Sequence, residues 1–239
     1  MSQLTLVRHG QASYMAENYD KLSPLGEQQA RKLGEFWLKS GVSFDRVFQG
    51  PAERHIRTAE IVADVYRGAS APWPESTIIR DLDEFDATSL LRTLMPMLVE
   101  MHDPVRELHE AYRNGADSPQ VGLLLERLFE EVARHWSLGS IHTPDIESWA
   151  EFHTRVRRGI DHIRSVAPKS SRSVVFTSGG PIAATVGLAQ DLAPRKAIEL
   201  VWVSRNSAYT EFLFSGERFS LTSFNTHPHL DDRALLTYR

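Results

Sequence analysis

Cysteine is absent from the 239 residues. That excludes disulfides, thiol catalysis and thiolate metal sites. Long apolar runs are missing too, and none approaches the roughly 18 residues that a membrane span needs. The opening MSQLTLVRHG has no basic stretch followed by a long apolar core, which predicts no signal peptide. The expectation is a soluble, cytoplasmic protein. Charge of one sign is also scarce. The formal net charge is −4, so the global field favours neither nucleic acid nor anionic membranes. An anionic ligand must then be gathered by a local group of arginines. No internal repeat or low-complexity tract is present.

What is present alternates. Leu4 to Val7 is a short apolar run, a first strand. Ser23-Pro24 opens a helix, with serine as N-cap and proline at the first helical position. Leu33, Phe36 and Trp37 share one face of it, and Gly41 can close it. DRVFQG is a second strand, and residues 52–66 form a helix with Ile56, Ala59, Ala63 and Tyr66 near one face. GASAPWP is a loop and STIIRDL a third strand. This order predicts an α/β fold with a mostly parallel sheet and helices on both faces. From Asp86 to Glu147 the pattern is mainly helical, broken at RNGADSP and SLGSIHTPD. The chain thus reads as one domain, 1–239, with a helical insertion over 86–147 that shapes a lid or pocket lobe. Ser148 to Val166 is a long helix, Ser173 to Thr177 a buried strand and AIELVWV a further strand. NSAYTEFLF and RFSLTSFN read as a terminal β-hairpin.

The chemistry sits at strand exits. LVRHGQAS places Arg8-His9-Gly10-Gln11 directly after the first strand, where open parallel sheets bind ligands. Gly10 permits a tight turn, and Arg8 offers a planar fork for phosphate oxygens. A neutral imidazole such as His9 can attack phosphorus. GPAERHIRTAEIV places Arg54 near a helix N-terminus, which suits anions. RDLDEFD places Asp81, Asp83, Glu84 and Asp86 after the third strand. A carboxylic acid there can give a proton to an alkoxide leaving group.

With these motifs in order, the chain resembles the histidine phosphatase superfamily, the phosphoglycerate-mutase-like proteins. Arg8-His9-Gly10 matches its opening motif. GPAERHIRTA resembles its Ser-Pro-x-x-Arg-x-x-x-Thr-Ala segment, with Gly50 in place of the serine. LDE resembles its Leu-x-Glu acid, LSPLGEQQARKLG its first helix, ESWAEFHTRV the helix before its last catalytic strand, and SFNTHPHL its C-terminal ending. The resemblance implies a three-layer α/β/α sandwich and a phosphohistidine at His9, with no metal and no cofactor. It assigns the proton donor to Glu84, with Asp83 and Asp86 as competitors. The implied phosphate contacts are Arg8, Arg54, Ser178, Gly179 and Gln11. The implied partner is a small phosphorylated substrate or inorganic phosphate. A phosphatase is expected over a mutase-type phosphotransferase, because the first motif continues as QASYMAENYD rather than the mutases' Gln-Ser-x-Trp-Asn.

One departure stands out. The family's Ser-His-Gly-Gly reads here as Thr177-Ser178-Gly179-Gly180, so Ser178 stands where a second histidine belongs. Losing one donor to a developing oxyanion costs about 10²–10³ in rate, which predicts weakened turnover or a binding-only protein. His55, His227 and His229 are candidates to fill the gap, though each reads first as an ordinary surface or helix residue. A serine-hydrolase arrangement of Ser178 with His227 or His229 and Asp231 is a minor alternative. His102, His109, His135 and His142 are scattered and show no metal spacing. Met95, Met97, Leu98 and Met101 read as core, with a lid or a homodimer contact as alternatives. RVRRGIDHIR reads as a solvated basic face.

Overall fold

The computed structural model describes residues 1–13, 20–115, 120–141 and 143–238. Among these, one sheet is built from β1 (Ser2–Arg8), β2 (Arg46–Gln49), β3 (Ser76–Ile78), β4 (Arg172–Thr177), β5 (Tyr209–Ser215) and β6 (Arg218–Thr226). Its spatial order is β3-β2-β4-β1-β5-β6. The first four strands run parallel, and β5 and β6 form the antiparallel hairpin at one side. Alternation along the strands splits the core into two layers. Leu4, Leu6 and Val175 face one way, while Val7, Val174 and Phe176 face the other.

Two helices cover the second face. In α1 (Pro24–Lys39) Leu33 and Trp37 are buried, and in α2 (Glu53–Gly68) Val62 and Tyr66 are. The first face is covered by more of the chain. α3 (Ala87–Met101), α4 (Asp103–Asn114) and α5 (Val121–Leu138) send Leu90, Leu94, Leu98, Val105, Leu128 and Val132 into the same cluster as the sheet. α6 (Trp149–Val166) and α7 (Gly179–Gln190) add Phe152, Ile160, Ile182 and Ala183. Of the methionine-rich stretch, Leu98 is fully buried and Met95 partly so, whereas Met97 is 36% and Met101 61% exposed. Residues 14–19, 116–119 and His142 lie outside the described residues. No helix among the described residues is long and apolar enough to cross a membrane.

One element differs from the sequence reading. AIELVWV is not a strand but most of α8 (Pro194–Val203). A seven-residue stretch that is apolar but for Glu199 has no clear period, and its flanks decide. Pro194 sits at the first helical positions, Arg195 and Lys196 pair with Glu199 one turn on, and Ala197, Ile198 and Val201 are buried together. The third strand is also short and exposed, and a single tight helical turn over Arg80–Leu82 follows it.

The parallel register brings the strand exits to one end. Arg8 lies opposite Thr177 and Gln49 opposite Phe176. The bonds continue past the strands: the His9 amide donates to the Thr177 carbonyl at 2.9 Å, and the Gly50 amide to the Phe176 carbonyl at 2.9 Å. α1 then starts against the first exit. The Ser23 hydroxyl accepts from the Gly26 amide at 3.0 Å and donates to Gln11 Oε1 at 2.8 Å. Ser23→Ala removes both bonds. We expect it to lower unfolding free energy by about 1–2 kcal/mol, read as a lower urea midpoint with an unchanged denaturant slope.

Candidate active site

Five of the residues singled out by sequence line a single cavity. Arg8, His9, Arg54, Glu84 and Asp86 make up most of its polar lining, and its volume is about 250 Å³. Phe85, Phe129, Val201, Trp202 and Tyr238 form much of the rest. A larger open cleft of about 1000 Å³ lies at the other end of β1, beside Ser2 and Phe214, and has no histidine among its described lining residues.

His9 is nearly buried, and its Nδ1–H donates to the Gly10 carbonyl at 2.6 Å. A carbonyl can only accept, so this bond puts the proton on Nδ1 and leaves the Nε2 lone pair available. Burial holds the His9 pKa well below its ordinary value, with Arg54, Arg8 and His55 adding to the effect. The imidazole is therefore neutral at neutral pH, as a nucleophile must be. The turn around it is tied to α2: the Gly10 amide donates to Thr58 Oγ1 at 3.1 Å, and the Thr58 hydroxyl donates to the Arg54 carbonyl at 2.7 Å.

Both arginines are held from behind. Arg8 Nη1 donates to the Ser204 carbonyl at 2.5 Å. Arg54 Nη1 donates to Asp20 Oδ1 at 2.5 Å, while Asp20 Oδ2 accepts the Glu53 amide at 2.8 Å. Asp20 thus serves the first turn of α2, whose own N-cap, Ala52, has no side-chain acceptor. No local pattern in the sequence pointed to Asp20, because it lies 33 residues before the amide it accepts.

Glu84 is half-buried, and its Oε2 accepts the Gly180 amide at 3.1 Å. A Cβ on Gly180 would lie 2.0 Å from Glu84 Oε1, so the carboxylate occupies the space a side chain would need. Burial raises the Glu84 pKa, against lowering by the Gly180 amide, Arg54, the Phe85 amide and Arg8. The competing acids have other partners, although Asp86 lines the same cavity. Asp83 Oδ1 accepts the Glu84 amide, and Asp86 caps α3, where its bonds to Ser89 hold its pKa down. Arg155 fixes the whole loop. It donates to the carbonyls of Asp81, Asp83 and Glu84 and pairs with Glu147. The basic stretch of α6 is thus not simply a solvated face: Arg158 lies on it, but Arg155 is turned inward to the Glu84 loop.

Ser178, Gly179 and Gln11 are not part of the cavity wall. Gln11 is bonded to Ser23, and Gly179 lies against the Arg8 guanidinium. Ser178 is fully buried, with Arg54 Nη2 at 3.4 Å and His55 Nε2 at 2.6 Å from its oxygen. His55 is the main correction. It is not an ordinary surface or helix residue: it is fully buried, and its ring centroid is 5.7 Å from that of His9. Its ring crosses Gly50, where a Cβ would lie 2.4 Å from His55 Nδ1. The glycine in place of the usual serine was the signal that could have found it. The hydrolase triad is not assembled. His227 pairs with Arg205 and the Asn225 carbonyl, His229 with Ser207, and Asp231 with Lys32. His102 and His135 come within 4.2 Å, but no group of three metal-ligating side chains occurs among the described residues.

The buried histidines set a pH response. Burial lowers the pKa values of His9 and His55, and lowers that of His229 to about 4. When the folded pKa is depressed, the unfolded chain binds the extra protons. Stability is then complete above about pH 6.5 and is lost as pH falls toward 4. Each such group adds up to about 1.4 kcal/mol per pH unit to the slope. Thermal unfolding between pH 7 and 4.5 should show this decline, and His55→Gln should flatten it.

A family model for branch 1 of the histidine phosphatase superfamily matches residues 4–122 and 102–227. A 2,3-bisphosphoglycerate-dependent phosphoglycerate mutase of Caulobacter vibrioides is 36% identical over 78 residues, 30% of this chain and 33% of the mutase. The match spans about a third of that relative's length. A phosphoserine phosphatase of Entamoeba histolytica, solved with 3-phosphoglyceric acid, superposes with a TM-score of 0.63 at 18% identity, covering 96% of this chain and 100% of that one. A phosphoglycerate mutase of Bacillus anthracis gives 0.63 at 17% identity, covering 96% and 95%. A mycobacterial glucosyl-3-phosphoglycerate phosphatase gives 0.60 at 17% identity, covering 94% and 98%. At these identities the likeness to the solved structures is one of fold, but the family match extends over most of the chain. The chain belongs to branch 1 of the histidine phosphatase superfamily.

Proposed function

We propose that this protein hydrolyses a small phosphomonoester through a phosphohistidine at His9. The observation that carries the reading is the bond from His9 Nδ1–H to the Gly10 carbonyl, which leaves Nε2 free in a cavity shared with Arg8, Arg54 and Glu84. Arg8 and Arg54 bind the phosphoryl oxygens and offset the charge that builds on them. The Nε2 lone pair forms a bond to phosphorus as the bond to the ester oxygen breaks. That oxygen keeps the electron pair and takes the proton of Glu84, whose raised pKa keeps it protonated at higher pH than an exposed glutamate. In the second half, water attacks phosphorus and gives a proton to the Glu84 carboxylate. The bond to Nε2 breaks, its electron pair returns to the imidazole, and inorganic phosphate departs.

The leaving-group side of the cavity supports hydrolysis over phosphoglycerate exchange. Its described lining holds Phe85, Phe129, Val201 and Trp202, and no cation besides Arg8 and Arg54. Those two are committed to the phosphoryl group, so a substrate carboxylate would have no cation of its own. A leaving group with apolar surface fits this wall better.

Two substrates of different leaving ability test the roles. p-Nitrophenolate departs without a proton, whereas an alkoxide needs one. His9→Ala should abolish turnover of both. Glu84→Gln should slow phosphoenzyme formation from an alkyl phosphate by about 10²–10⁴, leave the first-turnover release of p-nitrophenolate nearly unchanged, and slow the later hydrolysis of the phosphoenzyme for both. Activity that persists in His9→Ala would overturn the mechanism. Phosphate binding without any hydrolysis by the wild type would favour a binding-only protein.

A further inference from the structure

The mechanism above leaves one buried imidazole in the site unused. His55 lies beside His9, and its Nε2 is 2.6 Å from Ser178 Oγ. We propose that His55 is a positioning residue of the phosphate site, which acts through the Ser178 hydroxyl to hold the Arg54 guanidinium in place. The proposal deepens the reading of Arg54 as a phosphate ligand and rests on it.

Packing alone does not account for a histidine here. Its Nδ1 is buried and has no hydrogen-bond partner among the described residues. A buried polar nitrogen left unsatisfied is destabilising, and a leucine would fill much the same volume without that cost. What the histidine offers over leucine is the short contact from Nε2. That contact fixes the hydroxyl beyond it. Arg54 can only donate, so the Ser178 oxygen must keep a lone pair toward Nη2. In either tautomer the imidazole takes one direction around Oγ and leaves a lone pair for the guanidinium. The separation of 3.4 Å from Nη2 to Oγ is long for a hydrogen bond, so this link has room to tighten.

The surroundings are shaped for this arrangement. Arg54 and His55 are adjacent on the first turn of α2, so the same backbone sets both side chains. The ring needs Gly50, because any Cβ there would strike Nδ1. It also needs a small residue at 178. Gly50 and Ser178, the two positions where the chain carries less than the family pattern, are the two that make room for one imidazole. The pair has the separation of a serine nucleophile and its base. However, Ser178 is fully buried, and no carboxylate among the described residues orients Nδ1.

Calorimetric titration with inorganic phosphate tests the proposal apart from turnover. His55→Leu should weaken phosphate binding by about tenfold and lower kcat/KM for p-nitrophenyl phosphate by about 10–10². His55→Gln, whose amide can still reach Ser178, should recover most of both. In a Ser178→Ala background, His55→Leu should change the phosphate Kd by less than about twofold, because the link is already cut. Unchanged phosphate affinity in His55→Leu would overturn the proposal, as would an equal loss in both backgrounds. Should His55→Leu not fold, His55→Asn and His55→Gln carry the test. Asparagine ends one bond short, so it must bind phosphate about tenfold more weakly than glutamine, and equal binding overturns the proposal. This coupling in a protein that hydrolyses no phosphoester would uphold the role of His55 and sink the hydrolase reading instead.

Discussion

The Glu84 carboxylate lies where a side chain on Gly180 would begin. That contact is one of four made by consecutive residues of the β4–α7 turn, and the site depends on them together. Thr177 donates its hydroxyl to the Leu82 carbonyl at 2.6 Å, anchoring the loop that carries Glu84. Ser178 meets His55 and Arg54. Gly179 lets the Arg8 guanidinium lie alongside. Gly180 gives its amide to Glu84. A single extended turn therefore references the acid and both arginines to the end of one strand. The neighbouring strand exit, which carries His9, is bonded to that same strand end through the Thr177 carbonyl.

Such close referencing has an electrostatic consequence. The site concentrates two arginines, two imidazoles and a carboxyl group in little space. Were both imidazoles charged, the positive charge would be hard to hold without a bound anion. Burial keeps both neutral, which leaves the arginines as the permanent cations and His9 free to use its lone pair. The carboxyl group is treated in the opposite way to the ion-paired acids of the chain. Asp81 and Asp231 are paired with cations and pushed down, while Glu84 is pushed up by burial. Arg155 contributes here through the backbone of the Glu84 loop, and it pairs with the Glu147 carboxylate.

Much of the fold could be read from sequence because local chemistry and global architecture agreed. Ser23-Pro24 capped its helix, the Ser148 capping box opened α6, and the apolar runs ending at Val7 and Thr177 became central strands. α8 escaped because a seven-residue stretch that is apolar but for Glu199 carries no clear period, and its short ion pairs are visible only once a helix is assumed. At the site, Arg8, His9, Arg54 and Glu84 were legible because each follows a strand exit in a recognisable order. Asp20 and Arg155 were not, because their partners lie 33 and more than 70 residues away in the chain and nothing at their own positions marks them. His55 stood only as one of three histidines that could fill the gap at Ser178, which lies 123 residues away. His55 is set apart from His227 and His229 only by treating Gly50 and Ser178 as one feature, since a smaller side chain at each makes a single space.

Whether His9 carries the phosphoryl group is the point on which the chemistry turns. Phosphohistidine survives alkali and is lost in acid, whereas phosphoserine behaves in the opposite way. The direct measurement is mass spectrometry of peptides from enzyme quenched in alkali during turnover of an aryl phosphate. A phosphoryl group on the peptide containing His9, absent after acid treatment, is the expected result. An acid-stable phosphoryl group on Ser178, or one on His55, would contradict it.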